Sequence, residues 1–195
     1  TLDGTLFPYT TLFRSDFYRN SDGGVTVSGG EALVQADFVA ALMRACREQG
    51  IHTTLDTTGF SPWEKLSGVL EYTDLVLFDI KHLDPLKHRE ATGVGNQLIL
   101  KNLLALAGEK RLWLRMPVIP GYNDSCENIL AVADLCKSIR AERLSLLPYH
   151  EGGKSKSSQI GKTFAFPEGR VPSDEHMSKL RELASRDGLT VTIGS

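Results

Sequence analysis

Five points along the chain carry residue types that bind charge or admit a ligand close to the backbone. Gly29, Gly30 and Glu31 follow the first β-rich run, and Asp56 with Thr57 closes the second. Asp79 and Lys81 close the third run, Arg115 lies within the fourth, and His150 follows the fifth. A glycine pair has no side chain to keep a ligand away from the main chain. Asp79 and Lys81, two positions apart, leave an extended segment on the same side. Arg115 interrupts an otherwise apolar run, and a buried guanidinium calls for an anionic partner. Side chains beyond the carboxyl ends of parallel strands converge on one face, where α/β proteins place their sites, so the five points indicate a shared pocket. Each residue also has a structural reading. The glycines suit a strand-to-helix turn, Asp56 a turn or cap, Asp79 and Lys81 an ion pair, and His150 a solvated surface.

The elements that must position these residues alternate in type. β-rich runs occur at 25–28, 51–56, 75–80, 112–119, 143–148 and 189–193. Between them lie helical patterns. Phe38, Leu42 and Cys46 mark one stripe, and Leu100, Leu103, Leu104 and Ala107 another, with Asn96 as its N-cap. Ser125 caps a helix running through Ile139, and Ser173 caps a last one carrying Met177, Leu180 and Leu183. Strands alternating with helices predict βαβ crossovers and a parallel sheet. The runs 75–78 and 143–147 are nearly continuous in apolar residues, as strands buried on both faces are. Doubly wound sheets and (β/α) barrels both satisfy this pattern.

Charge balance excludes some functions. With 22 Lys and Arg against 24 Asp and Glu, the net charge of -2 makes no electrostatic case for nucleic acid or an anionic membrane. No apolar run approaches the about 20 residues of a bilayer span, and no secretory signal is visible, so the expected compartment is the cytoplasm. The three cysteines, Cys46, Cys126 and Cys136, lack metal-ligand spacing. Cys46 and Cys136 read as core residues, and Cys126 opens a helix, where the helix end can lower a thiol pKa. Residues 1–15, TLDGTLFPYTTLFRS, have neither clean alternation nor a helical stripe. They read as a non-native segment, which leaves 16–195 as one domain.

The segments SDGGVTVSGGEALVQ, LDTTGF, DLVLFDIKH, RMPVIPGYND and LLPYHEGGKSK, in that order and approximate spacing, resemble the glycyl-radical-enzyme activating enzymes. These belong to the radical S-adenosylmethionine (SAM) proteins, and the pyruvate formate-lyase activase is their best-known kind. The resemblance covers Asp16 to about Thr192. It implies a partial (β/α)6 barrel with a 4Fe–4S cluster and SAM at its carboxyl face. The implied activity is that of an oxidoreductase. SAM is cleaved reductively, and the resulting 5′-deoxyadenosyl radical takes a hydrogen from a backbone glycine of a partner enzyme. A flavodoxin or ferredoxin is the implied electron donor.

By the same resemblance, Gly29, Gly30, Glu31, Asp79, Ile80, Lys81 and His150 contact SAM. Asp56, Thr57, Leu77 and Asp79 frame a monovalent cation, and Arg115 faces the substrate peptide. Lys154, Lys156 and Lys162 flank a Gly/Ser-rich stretch that reads as a solvated loop, with a partner-binding loop as the alternative. The family's CxxxCxxC loop, after the first barrel strand, has no counterpart in these residues. The expectation is therefore an inactive fragment lacking the first βα unit and carrying five of six barrel strands. The stretch DFYRNSDGGVT resembles the longer activases, which carry extra ferredoxin-like clusters and serve diverse lyases and dehydratases. Two other functions remain open: a radical SAM enzyme with a different substrate, and a cluster-free peptide-binding module.

Overall fold

The computed structural model describes residues 23–150 and 171–194. The segment 1–15 and the lysines at 154, 156 and 162 lie outside the described residues. The strands are β1 (Gly24–Val27), β2 (His52–Thr57), β3 (Leu75–Asp79), β4 (Arg111–Val118), β5 (Arg143–Pro148) and β6 (Val191–Ile193). They form a six-stranded sheet in sequential order, one strand for each of the six β-rich runs and one more than the five barrel strands of the fragment reading. The α-helices are α1 (Ala36–Glu48), α2 (Trp63–Leu70), α3 (Pro85–Thr92), α4 (Gln97–Leu106), α5 (Cys126–Ser138) and α6 (Asp174–Ala184).

The chain divides into two compact units, 1–57 with 61–76, and 58–60 with 77–195. In the first, β1 pairs parallel with β2, Gly24 opposite His52 and Val27 opposite Leu55. A Cβ at Gly24 would collide with the His52 backbone, so only glycine fits that close approach. α1 buries Ala36, Val39, Met43 and Cys46. The expected stripe was rotated by one position: Phe38 is 48% exposed, although Cys46 belongs to both faces. α2, with Leu66, Val69 and Leu70 buried, was not anticipated, because eight residues give little periodicity to read.

In the second unit, β4 pairs parallel with β5, Arg115 opposite Ser145, and β5 pairs with β6. Along β4, Leu112, Leu114, Met116 and Val118 are buried, while Trp113, Arg115 and Pro117 take the other face. α5 follows its expected stripe, burying Ile129, Val132, Ala133 and Cys136, with Ser125 Oγ accepting from Asn128 N. α6 is capped by Ser173, which accepts from His176 N, and it buries Met177, Leu180 and Ala184. α4 buries Ile99, Asn102, Leu103 and Leu106, leaving Leu104, expected inside, 58% exposed. α3 was also not anticipated; only His88 is buried on it, so it has no apolar stripe. Its ends are nonetheless encoded locally. Asp84 accepts from Leu86 N and Lys87 N, Pro85 opens the helix, and Gly93 (φ 83°) closes it. No helix among the described residues is long and apolar enough to cross a membrane.

Candidate functional site

In the first unit, polar side chains meet where β1 and β2 end. Glu31 caps a 3-10 turn over Ala32–Gln35, its Oε1 accepting from Leu33 N at 3.1 Å. The same oxygen accepts from Thr57 Oγ1 at 2.6 Å, and Thr57 is buried. Ser28 Oγ donates to Asp56 Oδ2 at 2.9 Å. Each carboxylate is therefore held by the neighbouring strand end. Gly29 adopts a φ of 145°, which side-chain-bearing residues rarely take. Among the described residues, no heavy atom beyond the chain neighbours stands within 4 Å of where a Cβ would sit at Gly29 or Gly30. The described residues thus leave the backbone there open to a ligand.

In the second unit, Asp79 is the hub. Its Oδ2 lies 2.8 Å from Lys81 Nζ. Its Oδ1 accepts from Arg115 Nε at 2.9 Å and lies 2.8 Å from Nη2. Arg115 and Asp79 side chains are each only 15% exposed, so the pair is well desolvated. Backbone bonding reinforces it, with Ile80 N donating to Arg115 O at 2.8 Å. The anionic partner that Arg115 required is thus Asp79, and the same-side placement of Asp79 and Lys81 holds. Leu77 shares the Asp79 face of β3, half-buried. His150 stands exposed just beyond β5. Arg115 and Lys81 thus both set positive charge against the Asp79 carboxylate. Among the described residues, no group of three or more His, Cys, Asp or Glu is arranged to hold a metal ion.

Buried asparagines, which sequence reasoning passed over, brace the loops behind this hub. Asn123 is fully buried; its Oδ1 accepts from Ile119 N at 2.8 Å. Its Nδ2 donates to Lys81 O at 2.9 Å and to Pro117 O at 2.6 Å. Asn96 occupies the N-cap position of α4 but makes no cap bond. It donates instead to His82 O at 3.0 Å and Leu83 O at 2.7 Å. Asn102 Nδ2 donates to Gly59 O at 2.8 Å, and a Cβ at Gly59 (φ 69°) would run into the Phe78 ring. The signal available in sequence was an amide within or beside apolar stretches, which buried polar groups require to be bonded.

His82 is buried against Tyr122, ring centroids 5.3 Å apart in an edge-on contact. Burial, with the nearby Lys87 charge, pushes the imidazole pKa down. Its Nδ1 accepts from Asp84 N at 2.9 Å, which fixes that nitrogen as unprotonated. Burial likewise pushes the Tyr122 phenol up to about 12.

The cysteines do not fit the cluster that the resemblance implies. Cys46 is buried on α1, where burial raises its thiol pKa. Cys136 is buried on α5, pushed up to about 12 by burial, with Sγ 3.7 Å from Arg143 O. Cys126, in the first turn of α5, is exposed. Cluster ligation needs grouped, accessible thiolates.

The sequence profile of the radical SAM superfamily matches residues 15–133. The chain is 41% identical over 186 residues to the (2S)-3-sulfopropanediol dehydratase activating enzyme of Klebsiella oxytoca, covering 92% of this chain and 59% of that protein. It is 38% identical over 196 residues to the 4-hydroxyphenylacetate decarboxylase activating enzyme of Clostridioides difficile, covering 96% and 62%. The chain thus spans a little over half the length of these relatives. A crystal structure of a domain of pyruvate-formate lyase-activating enzyme from Bacteroides vulgatus superposes with a TM-score of 0.74 at 32% identity, covering 89% of this chain and 99% of that one. The six-stranded α/β architecture accordingly matches a partial radical SAM (β/α) barrel. On this sequence and structural agreement, the chain belongs to the radical SAM superfamily, among the glycyl-radical-enzyme activating enzymes.

Proposed function

We propose that this chain is the SAM-binding part of an activating enzyme that installs a radical on a backbone glycine of a partner enzyme. The observation that carries the reading is the open backbone at Gly29 and Gly30 beside Glu31, whose carboxylate is already oriented by Thr57 and Leu33. A ligand bearing an ammonium and a carboxylate can approach such a backbone, with Glu31 contributing negative charge. Asp79, Ile80, Lys81 and His150 are the further SAM residues in this reading, and Asp56, Thr57, Leu77 and Asp79 the candidates around a monovalent cation. When bound, SAM supplies the group that takes the glycine hydrogen after one-electron reduction. The chain's own residues bind it, orient it and exclude water. Arg115 belongs to the peptide side of the site, but its contacts with Asp79 make it a support of the SAM residues as well.

The relatives' names, which include dehydratase, decarboxylase and sulfite-lyase activating enzymes, support the choice of partner class. A lyase, decarboxylase or dehydratase partner is therefore favoured over pyruvate formate-lyase, with a flavodoxin or ferredoxin as electron donor in the cytoplasm. The 4Fe–4S cluster belongs to residues other than the cysteines described above. The test is a chimera in which residues 16–195 follow the CxxxCxxC-bearing segment of an activating enzyme. With SAM, reductant and partner, it should release 5′-deoxyadenosine and give a glycyl-radical EPR signal. A cluster-loaded chimera that cleaves SAM but radicalises no partner of this class rejects the reading.

A further inference from the structure

Just beyond the end of β3, the carbonyls of Lys81, His82 and Leu83 come in succession outside the strand. Buried carbonyls need donors. Two buried asparagine side chains provide them, Asn123 to Lys81 and Asn96 to His82 and Leu83. A primary amide has two hydrogens, and each of these spends both on carbonyls. The orientation of Asn123 is unambiguous, because Oδ1 faces the Ile119 N–H while Nδ2 faces two carbonyls. Reversing the amide would set donor against donor and acceptor against acceptor.

Asn123 therefore joins the loop after β4 to Lys81, two residues beyond the end of β3. Through its contact with Pro117 O it ties Lys81 to the strand that carries Arg115, and Asp79 sits between the two cations. Asn128 steadies the same loop without reaching Lys81, donating to Asn123 O at 2.8 Å. We propose that Asn123 is a positioning residue: it fixes the Lys81 backbone so that the ammonium stays on Asp79 and the pair is ready for SAM. The role rests on the SAM reading above, since only a ligand at Asp79 and Lys81 gives the clamp its use. Asn96 fixes the next two carbonyls and stops the segment from twisting about the Lys81 link.

The test compares the full chain with Asn123→Asp, Asn123→Ser and Asn128→Ser. The first substitution is nearly isosteric but sets a carboxylate against two carbonyls. The second removes the bridge without adding charge, and so serves if the first does not fold. One measurement is the rate at which an acylating reagent modifies Lys81, read by mass spectrometry against exposed Lys101. In the wild type, Lys81 should be the slower of the two, because its amine is held in an ion pair and is 32% exposed. In folded Asn123 variants the Lys81 rate should rise several-fold relative to Lys101, and in the cluster-loaded chimera carrying the same substitutions SAM affinity by equilibrium dialysis should fall roughly tenfold. Asn128→Ser should lower thermal stability and leave both readouts unchanged, whereas a merely structural role would move all variants alike. Unchanged Lys81 labelling in both folded Asn123 variants, or an equal change in Asn128→Ser, overturns the proposal. Increased labelling in the Asn123 variants with no SAM binding by the cluster-loaded wild-type chimera keeps the clamp and rejects the SAM reading instead.

Discussion

Asp79 holds two cations, and the consequences are energetic before they are catalytic. Its side chain and that of Arg115 are each 15% exposed, so removing one partner strands a charge with little water to solvate it. Arg115→Met and Asp79→Asn should each destabilise the chain by about 1.5–3 kcal/mol. The double variant should cost clearly less than their sum, a coupling readable by urea unfolding. Additive losses would show that the pair contributes nothing jointly. Gly30 offers a complementary test, because no described heavy atom beyond its chain neighbours stands within 4 Å of a Cβ placed there. Gly30→Ala should leave thermal stability nearly unchanged while weakening SAM roughly tenfold. Normal SAM affinity in that variant would remove the open backbone from the binding argument.

At the scale of elements, the segment from β3 into α3 couples a titration to a helix start. His82 Nδ1 accepts from Asp84 N, and Asp84 in turn caps α3. Protonating His82 loses that acceptor. Because burial lowers the folded pKa from 6.5, the unfolded chain takes up the proton first as pH falls. The stability this histidine contributes is complete above pH 6.5 and is lost as pH falls through its lowered folded value. His82→Asn retains a short side-chain acceptor near Asp84 N but does not titrate. Its unfolding free energy should decline less steeply than the wild type's between pH 7 and the acid limb. Parallel pH profiles for the two chains would remove His82 from that dependence.

For the whole molecule, the placement of the cysteines bears on what this chain can carry alone. Two are buried with raised thiol pKa values and one is exposed. Anaerobic reconstitution of the 195-residue chain with iron and sulfide should therefore leave no stoichiometric 4Fe–4S cluster. In the same sample, a thiol reagent should modify Cys126 alone in the native state and all three cysteines after denaturation. A full complement of iron and sulfide that disappears on Cys126→Ser would refute this reading.

Much of the strand and helix order was legible because its causes are local. Period-2 alternation set Asp79 and Lys81 on one side, the ranges of β3, β4 and β5 fell within one residue of expectation, and Ser125 and Ser173 announced their helices. The sequence also determined that Arg115 needed an anion, since a guanidinium in an apolar strand cannot remain unpaired. What it could not select was the partner, Asp79, 36 positions away. Nor could it choose between the two apolar stripes of α1. Those stripes differ by one position, about 100° of rotation, and only packing decides which is buried. Asn96 shows the same limit: its position before a helix reads as a cap, yet its amide serves carbonyls 13 and 14 positions back. Backbone preference and periodicity act over a few residues and can be read along the chain. Pairing of buried polar groups depends on which segments the fold brings together, and so the tertiary structure alone decided it.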